Sequence, residues 1–111
     1  MGITRIDHLY AETRHWEASV EFWKGLGFSL ADEWGDEGHR AGRFESGAAA
    51  LVLAEITEGE ADFSVFFDLD DAESAENLPG VVTPLSNTHW GTRWIRVADP
   101  EGRIHALEES G

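Results

Sequence analysis

The segment "WGTRWIRVADPEGRIHALEE" (residues 90–109) reads as two strands joined by a tight turn. "GTRWIRVAD" (91–99) alternates apolar and polar side chains, as a half-buried strand does. "DPEG" (99–102) places Pro100 at the second turn position, where its fixed φ fits. "RIHALEE" (103–109) then returns as the closing strand. Within 91–99, Ile95 and Val97 form the core pair, so Trp94 and Arg96 turn the other way. Ile104, Ala106 and Glu108 share one face of the closing strand.

The same rule applies upstream. "ITRIDHLYAE" (3–12) is an opening strand with Leu9 and Ala11 on one face and Ile6, His8 and Tyr10 on the other. Thr13 is a plausible N-cap for the helix that follows. "RHWEASVEFWKGLGF" (14–28) sets Trp16, Val20 and Trp23 at helical spacing, with Ser19, Phe22 and Leu26 alongside, and Gly25 and Gly27 stop it. "FSLADEW" (28–34), "HRAGRFES" (39–46) and "AAALVLAEI" (48–56) are three strands, the first two joined by the turn "GDEG" (35–38). After an exposed acidic connector, "TEGEAD" (57–62), the plan restarts. "FSVFFDLDD" (63–71) is a strand with Phe63, Val65, Phe67 and Leu69 toward a core and Ser64, Phe66 and Asp68 opposite. "DDAESAENL" (70–78) is a short helix, and "VVTPLS" (81–86) is an edge strand, because Pro84 cannot donate to a ladder. Strand, helix and three strands therefore occur twice, with a period of about 56 residues.

Composition sets the limits. One domain of 111 residues, divided into halves 1–57 and 62–111, suits one modest core. The absence of cysteine removes disulfides, thiolate chemistry and cysteine zinc sites. A net charge of −14 disfavours nucleic acid and anionic membranes. No apolar run has the length of a membrane span and no secretory leader is visible, which points to the cytoplasm. No nucleophile elbow, phosphate loop, dinucleotide fingerprint, calcium loop or histidine pair on the helix is present.

The doubled βαβββ order, with "IDHLYAET" (6–13), "ASVEFWKGLGF" (18–28) and "WGTRWIRVADPEGRIHALEE", resembles the vicinal oxygen chelate superfamily, the glyoxalase, bleomycin-resistance and extradiol dioxygenase group. The resemblance implies an α+β fold: two βαβββ modules forming one curved mixed sheet around a cleft, helices outside. It also implies four strand positions for metal ligands, which fall on His8, near Val52, near Ser64 and on Ala106. One ligand of four remains, and a register slide of two would bring Glu55 or Glu108 closer. The resemblance is therefore nearest in character to the metal-free bleomycin-resistance branch, with no cofactor, no metal and no catalytic residue.

Alternation assigns His8, Tyr10, Phe66, Trp94, Arg96 and Glu108 to the face away from the helices, with the loop residues Trp34 and Trp90 beside it. Rings with a few charges suit a small organic ligand, and the acidic surface favours a cationic one. The same rings would serve equally as a dimer contact. A homodimer is expected in either case. Three functions follow: a sequestering binder of an antibiotic-like molecule; a metal-dependent lyase, isomerase or dioxygenase using His8 with Glu55 or Glu108; or a non-catalytic dimeric module.

Overall fold

A computed structural model describes residues 2–75 and 77–109. The elements run β1 (Ile3–Thr13), α1 (Trp16–Gly25), β2 (Ser29–Trp34), β3 (Ala41–Ser46), β4 (Ala49–Glu55), β5 (Phe63–Leu69), a 3-10 helix (Glu73–Ala75), β6 (Val81–Asn87), β7 (Arg93–Ala98) and β8 (Ile104–Glu109). The βαβββ order expected from sequence is thus present twice in a strand-rich, mixed-sheet chain. In the second copy the helix has shrunk to the single 3-10 turn. Glu76, inside the helix expected over 70–78, lies outside the described residues. Among the described residues no helix is long and apolar enough to cross a membrane.

Contacts divide the chain into two units: a helical unit, His8–Phe63, and a C-terminal unit, Met1–Asp7 with Ser64–Gly111. Strand β1 supplies residues 3–7 to one and 8–13 to the other.

In the helical unit the strand order is β2-β3-β4-β1, with β1 parallel to β4 and the other pairs antiparallel. Ala11, Trp16, Phe44, Leu51 and Leu53 form the core, joined by Leu9, Val20, Trp23 and Phe28. Phe44 is 0% exposed, and burying such a side chain contributes about 1.5–3 kcal/mol. Helix α1 presents Trp16, Val20 and Trp23 to this core as its spacing predicts, whereas Phe22 and Leu26 stay exposed. Residues Glu17 and Lys24 complement the helix dipole at the first and last turns. The N-cap is His15 rather than Thr13, with no side-chain cap bond. Thr13 ends β1 instead, and its hydroxyl accepts the His15 N–H at 2.9 Å and bonds Ser19 Oγ at 2.7 Å. It steadies the helix entry from two residues upstream. Gly27, at φ +106, lets the chain leave the helix.

In the C-terminal unit the order is β1-β5-β8-β7-β6, with β5 parallel to β8. Leu69, Ala72, Ala75, Ile95 and Leu107 form its core, joined by Phe67, Leu78, Val81, Leu85 and Val97. Ile95 and Val97 face inward as alternation predicts. Phe63 does not: it opens β5 beyond the reach of this core and is exposed. Strand β6 is an edge, and its pairing with β7 slips between Thr83 and Ser86, the interval holding Pro84. A residue that cannot donate sits where the ladder is already broken.

One ion-pair pattern recurs in the two units. Arg40 donates from Nε and Nη2 to the two oxygens of Glu55, both at 2.8 Å, and from Nη1 to Glu17 at 3.2 Å. Arg93 donates from Nε to Glu109 at 3.0 Å, from Nη2 to the same oxygen, and from Nη1 to Glu73 at 2.8 Å. In each unit an arginine ties the carboxylate ending the last strand to one in the first turn of the helix. The Arg40 guanidinium also lies over the Trp16 ring at 5.6 Å.

Candidate ligand-binding face

Ladder register in the C-terminal unit sets side chains in two transverse rows. Phe66 pairs with Ala106, which pairs with Arg96; Asp68 pairs with Glu108, which pairs with Trp94. Directly opposed residues project to the same side of a sheet. The face opposite the core therefore carries Phe66, Arg96, Asp68, Glu108 and Trp94, as alternation predicted for all five.

The rings interlock. Trp94 lies 6.2 Å from Phe66, tilted by 38°, and 5.3 Å from Trp90 in an edge-to-face contact. His89 meets Trp90 edge-on at 4.8 Å. The Arg96 guanidinium covers the Trp94 ring at 5.5 Å. These separations are those at which aromatic and cation–π pairs attract.

Glu108 anchors the polar side of the cluster. Its Oε2 accepts the Trp90 indole N–H at 2.7 Å and the Thr92 hydroxyl at 2.8 Å. Its Oε1 has no hydrogen-bond partner among the described residues. The loop that brings Trp90 in is closed by reciprocal bonds: Thr88 N–H to Thr92 O at 2.9 Å, and Thr92 N–H to Thr88 Oγ1 at 3.0 Å. Gly91, at φ +97, permits the turn. Beside Glu108, Asp68 is occupied by Arg5, whose Nε lies 2.5 Å from Oδ2. Thr92 and Arg5 escaped the sequence reading, which placed Asp68 on this face but not its pairing with Arg5. The flanking threonines about a glycine were the available signal for the first.

His105, on the core side of β8, accepts the Val65 N–H at Nδ1 and meets Asp99 Oδ2 through Nε2 at 3.0 Å. The His105 bond, assisted by the backbone N–H groups of Arg103 and Glu101, holds the Asp99 carboxyl at about 2. It is a structural staple for the "DPEG" turn.

His8, Tyr10 and Trp34 belong to the helical unit. Tyr10 pairs with Val52, which pairs with Arg43. Its hydroxyl donates to Glu12 Oε2 at 2.9 Å, and Glu12 Oε1 accepts the Asp62 N–H at 3.0 Å. Burial first, then the Glu12 bond, pushes the phenol upward from its ordinary range. His8 is partly exposed one pleat before Tyr10. Trp34 is 47% exposed at the end of β2, opposite Ala41.

The two units repeat one row: an aromatic (Tyr10, Phe66), a small apolar residue (Val52, Ala106) and an arginine (Arg43, Arg96). Val52 and Ala106 are two of the positions where the resembled enzymes place metal ligands. Neither offers a donor atom, and each has a guanidinium-bearing neighbour across the ladder. Glu55, the nearest alternative, is bound by Arg40, whose hydrogen bonds hold its carboxyl at about 2. This donor set does not fit a catalytic divalent ion.

No family model matches the chain, and no curated protein matches it in sequence. Solved structures do match. A glyoxalase/bleomycin resistance protein/dioxygenase superfamily member from Vibrio splendidus 12B01 superposes with a TM-score of 0.74 at 16% identity, covering 93% of this chain and 97% of that one. Methylmalonyl-CoA epimerase from Mycobacterium tuberculosis gives 0.69 at 16% identity, covering 98% and 89%. A variant of 4-hydroxymandelate synthase from Streptomyces coelicolor gives 0.77 at 19% identity, covering 96% of this chain and 38% of that one. At these identities the likeness is one of fold. The chain has the fold of the glyoxalase, bleomycin-resistance and dioxygenase proteins, which its sequence resemblance implied.

Proposed function

We propose that this chain binds a small organic ligand without a metal and sequesters it unchanged, in the manner of bleomycin-resistance proteins. One observation carries the reading: Glu108, fixed through Oε2 by Trp90 and Thr92, keeps Oε1 open at the edge of the Phe66, Trp94 and Trp90 rings. Flat rings supply apolar contact, and the carboxylate supplies orientation. His8, Tyr10 and Trp34 are proposed separately as ligand contacts of the helical unit. A homodimer in the cytoplasm belongs to the same proposal and is checked by sedimentation and cell fractionation.

Support against a metal-dependent enzyme comes from the side chains. Val52 and Ala106 cannot ligate, and Glu55 is occupied by Arg40. A tryptophan-fluorescence titration with bleomycin, with and without divalent metal, tests the reading. Saturable binding independent of metal, with the drug recovered intact, is the expected result. Stoichiometric metal in the purified protein would favour the lyase, isomerase or dioxygenase alternative. A stable dimer that binds nothing would favour a non-catalytic module.

A further inference from the structure

Arg96 differs from the other arginines of its unit. Arg5 pairs with Asp68 and Asp7, Arg93 with Glu109 and Glu73, and Arg103 with Asp99. Arg96 has no carboxylate partner among the described residues. Its guanidinium lies over the Trp94 ring, 5.5 Å from the ring centroid. The sequence holds 22 acidic residues against 8 Lys and Arg, so carboxylates are abundant and this cation still lacks one.

A carboxylate on the adjacent strand is that of Glu108. Arg96 stands opposite Ala106, and Glu108 stands opposite Trp94, so the two are diagonal neighbours on β7 and β8. Such residues are about 7–8 Å apart, within reach of two long side chains. They do not pair. Trp90 and Thr92 draw Glu108 Oε2 to one side, and Trp94 holds the Arg96 guanidinium against its face. A fixed cation and a fixed anion are held apart across an indole, each with hydrogen-bonding capacity left over. Direct pairing would neutralise both; a ligand that bridges them satisfies both.

We infer that this face takes an amphoteric ligand, with an anionic carboxylate-class group for Arg96 and an ammonium or amidine for Glu108 Oε1. A planar apolar spacer joins the two and rests on Trp94 and Phe66. The inference rests on the binding function proposed above and narrows its ligand from a merely cationic one.

Three probes share one ring and differ only in charge: para-(aminomethyl)benzoate, para-methylbenzylamine and para-methylbenzoate. Calorimetry on the full chain should find the first binding tighter than either of the others by about tenfold or more, the factor a charge-assisted hydrogen bond carries. Arg96→Gln should lower the first to the level of the amine, whose own affinity stays unchanged. Glu108→Gln should lower it to the level of the benzoate, and its amide oxygen can still accept from Trp90 and Thr92. Arg96→Lys, which keeps the charge, should recover part of the loss. Circular dichroism confirms that each variant is folded. Equal affinities for all three probes, or no effect of Arg96→Gln on their ranking, would overturn the inference and leave the binding function standing. Failure of all three while bleomycin binds would do the same. Failure of the probes and of bleomycin alike would remove both.

Discussion

The Trp90 indole reaches across 18 residues of sequence to donate to Glu108 at 2.7 Å. This bond determines which oxygen of the carboxylate remains available. Trp90→Phe keeps most of the ring area and deletes the donor. It should cost about 1 kcal/mol in urea unfolding, because Trp90 is 48% exposed and water replaces part of the loss. It should also free Glu108 to swing toward Arg96. Ligand affinity should then fall by about tenfold, more than removal of one ring edge explains. Wild-type affinity in Trp90→Phe would show that Glu108 does not need this anchor.

Restoring carboxylates should not restore a metal. In Ala106→Glu the new side chain stands between Phe66 and Arg96, and in Val52→Glu between Tyr10 and Arg43. Each should ion-pair with its arginine. Metal analysis of the double variant, after dialysis against zinc or manganese and then buffer, should give well under one equivalent. A full equivalent would show that the two positions still belong to a metal site.

Acid should weaken the fold by a specific route. The Arg40 hydrogen bonds lower the Glu55 carboxyl from 4.5 to about 2, and the His105 bond lowers Asp99 from 3.8 to about 2. Folded values below unfolded ones mean stability that is complete above the unfolded value and is lost as the folded value is passed. Melting temperature should therefore decline from about pH 4.5 down to about pH 2. Glu55→Gln should be less stable than wild type near neutrality, and the gap should close toward pH 2. A gap independent of pH would mean that Glu55 acts through packing alone.

Two turn glycines separate backbone strain from steric conflict. Gly59, at φ +84, has open space where a Cβ would stand, so Gly59→Ala should cost about 1–2 kcal/mol. Gly35, at φ +83, would place its Cβ 2.1 Å from the His39 carbonyl oxygen. Gly35→Ala should therefore cost clearly more, because the β2–β3 turn must open. Equal unfolding free energies for the two variants would refute the close approach.

Period-two alternation made the strands and much of the candidate face legible in the sequence. Ile95 and Val97 were core, so Trp94 and Arg96 were not; Glu108 followed from Ala106 in the same way. Pro84 marked an edge because it lacks a donor. Loops and helix ends were less legible, since their geometry depends on specific hydrogen bonds. Thr13 looked like a cap because its hydroxyl does steady the helix, but from the last residue of β1. "DDAESAENL" has helical composition; Ala72 and Ala75 instead pack into the core while Glu73 turns to Arg93, and one 3-10 turn satisfies both. No periodicity encodes the Thr88–Thr92 closure that delivers Trp90 to Glu108.

Strand β1 imposes an order of events on synthesis. Gly2 bonds Asp70, Thr4 reaches the Asp68 carbonyl and Arg5 reaches the Asp68 side chain, over sequence separations of 68, 64 and 63 residues. Residues 2–7 are made before the helical unit, yet their partners leave the ribosome only after the whole of that unit has been made. Residues 8–63 can begin to assemble while residues 2–7 still lack their partners on β5 and just beyond it. Long-range closures of this kind slow folding, and an exposed strand without its neighbour invites pairing with other chains. Arg5 and Asp7 give this segment charge while it waits, a gatekeeper's role that ends when β5 arrives.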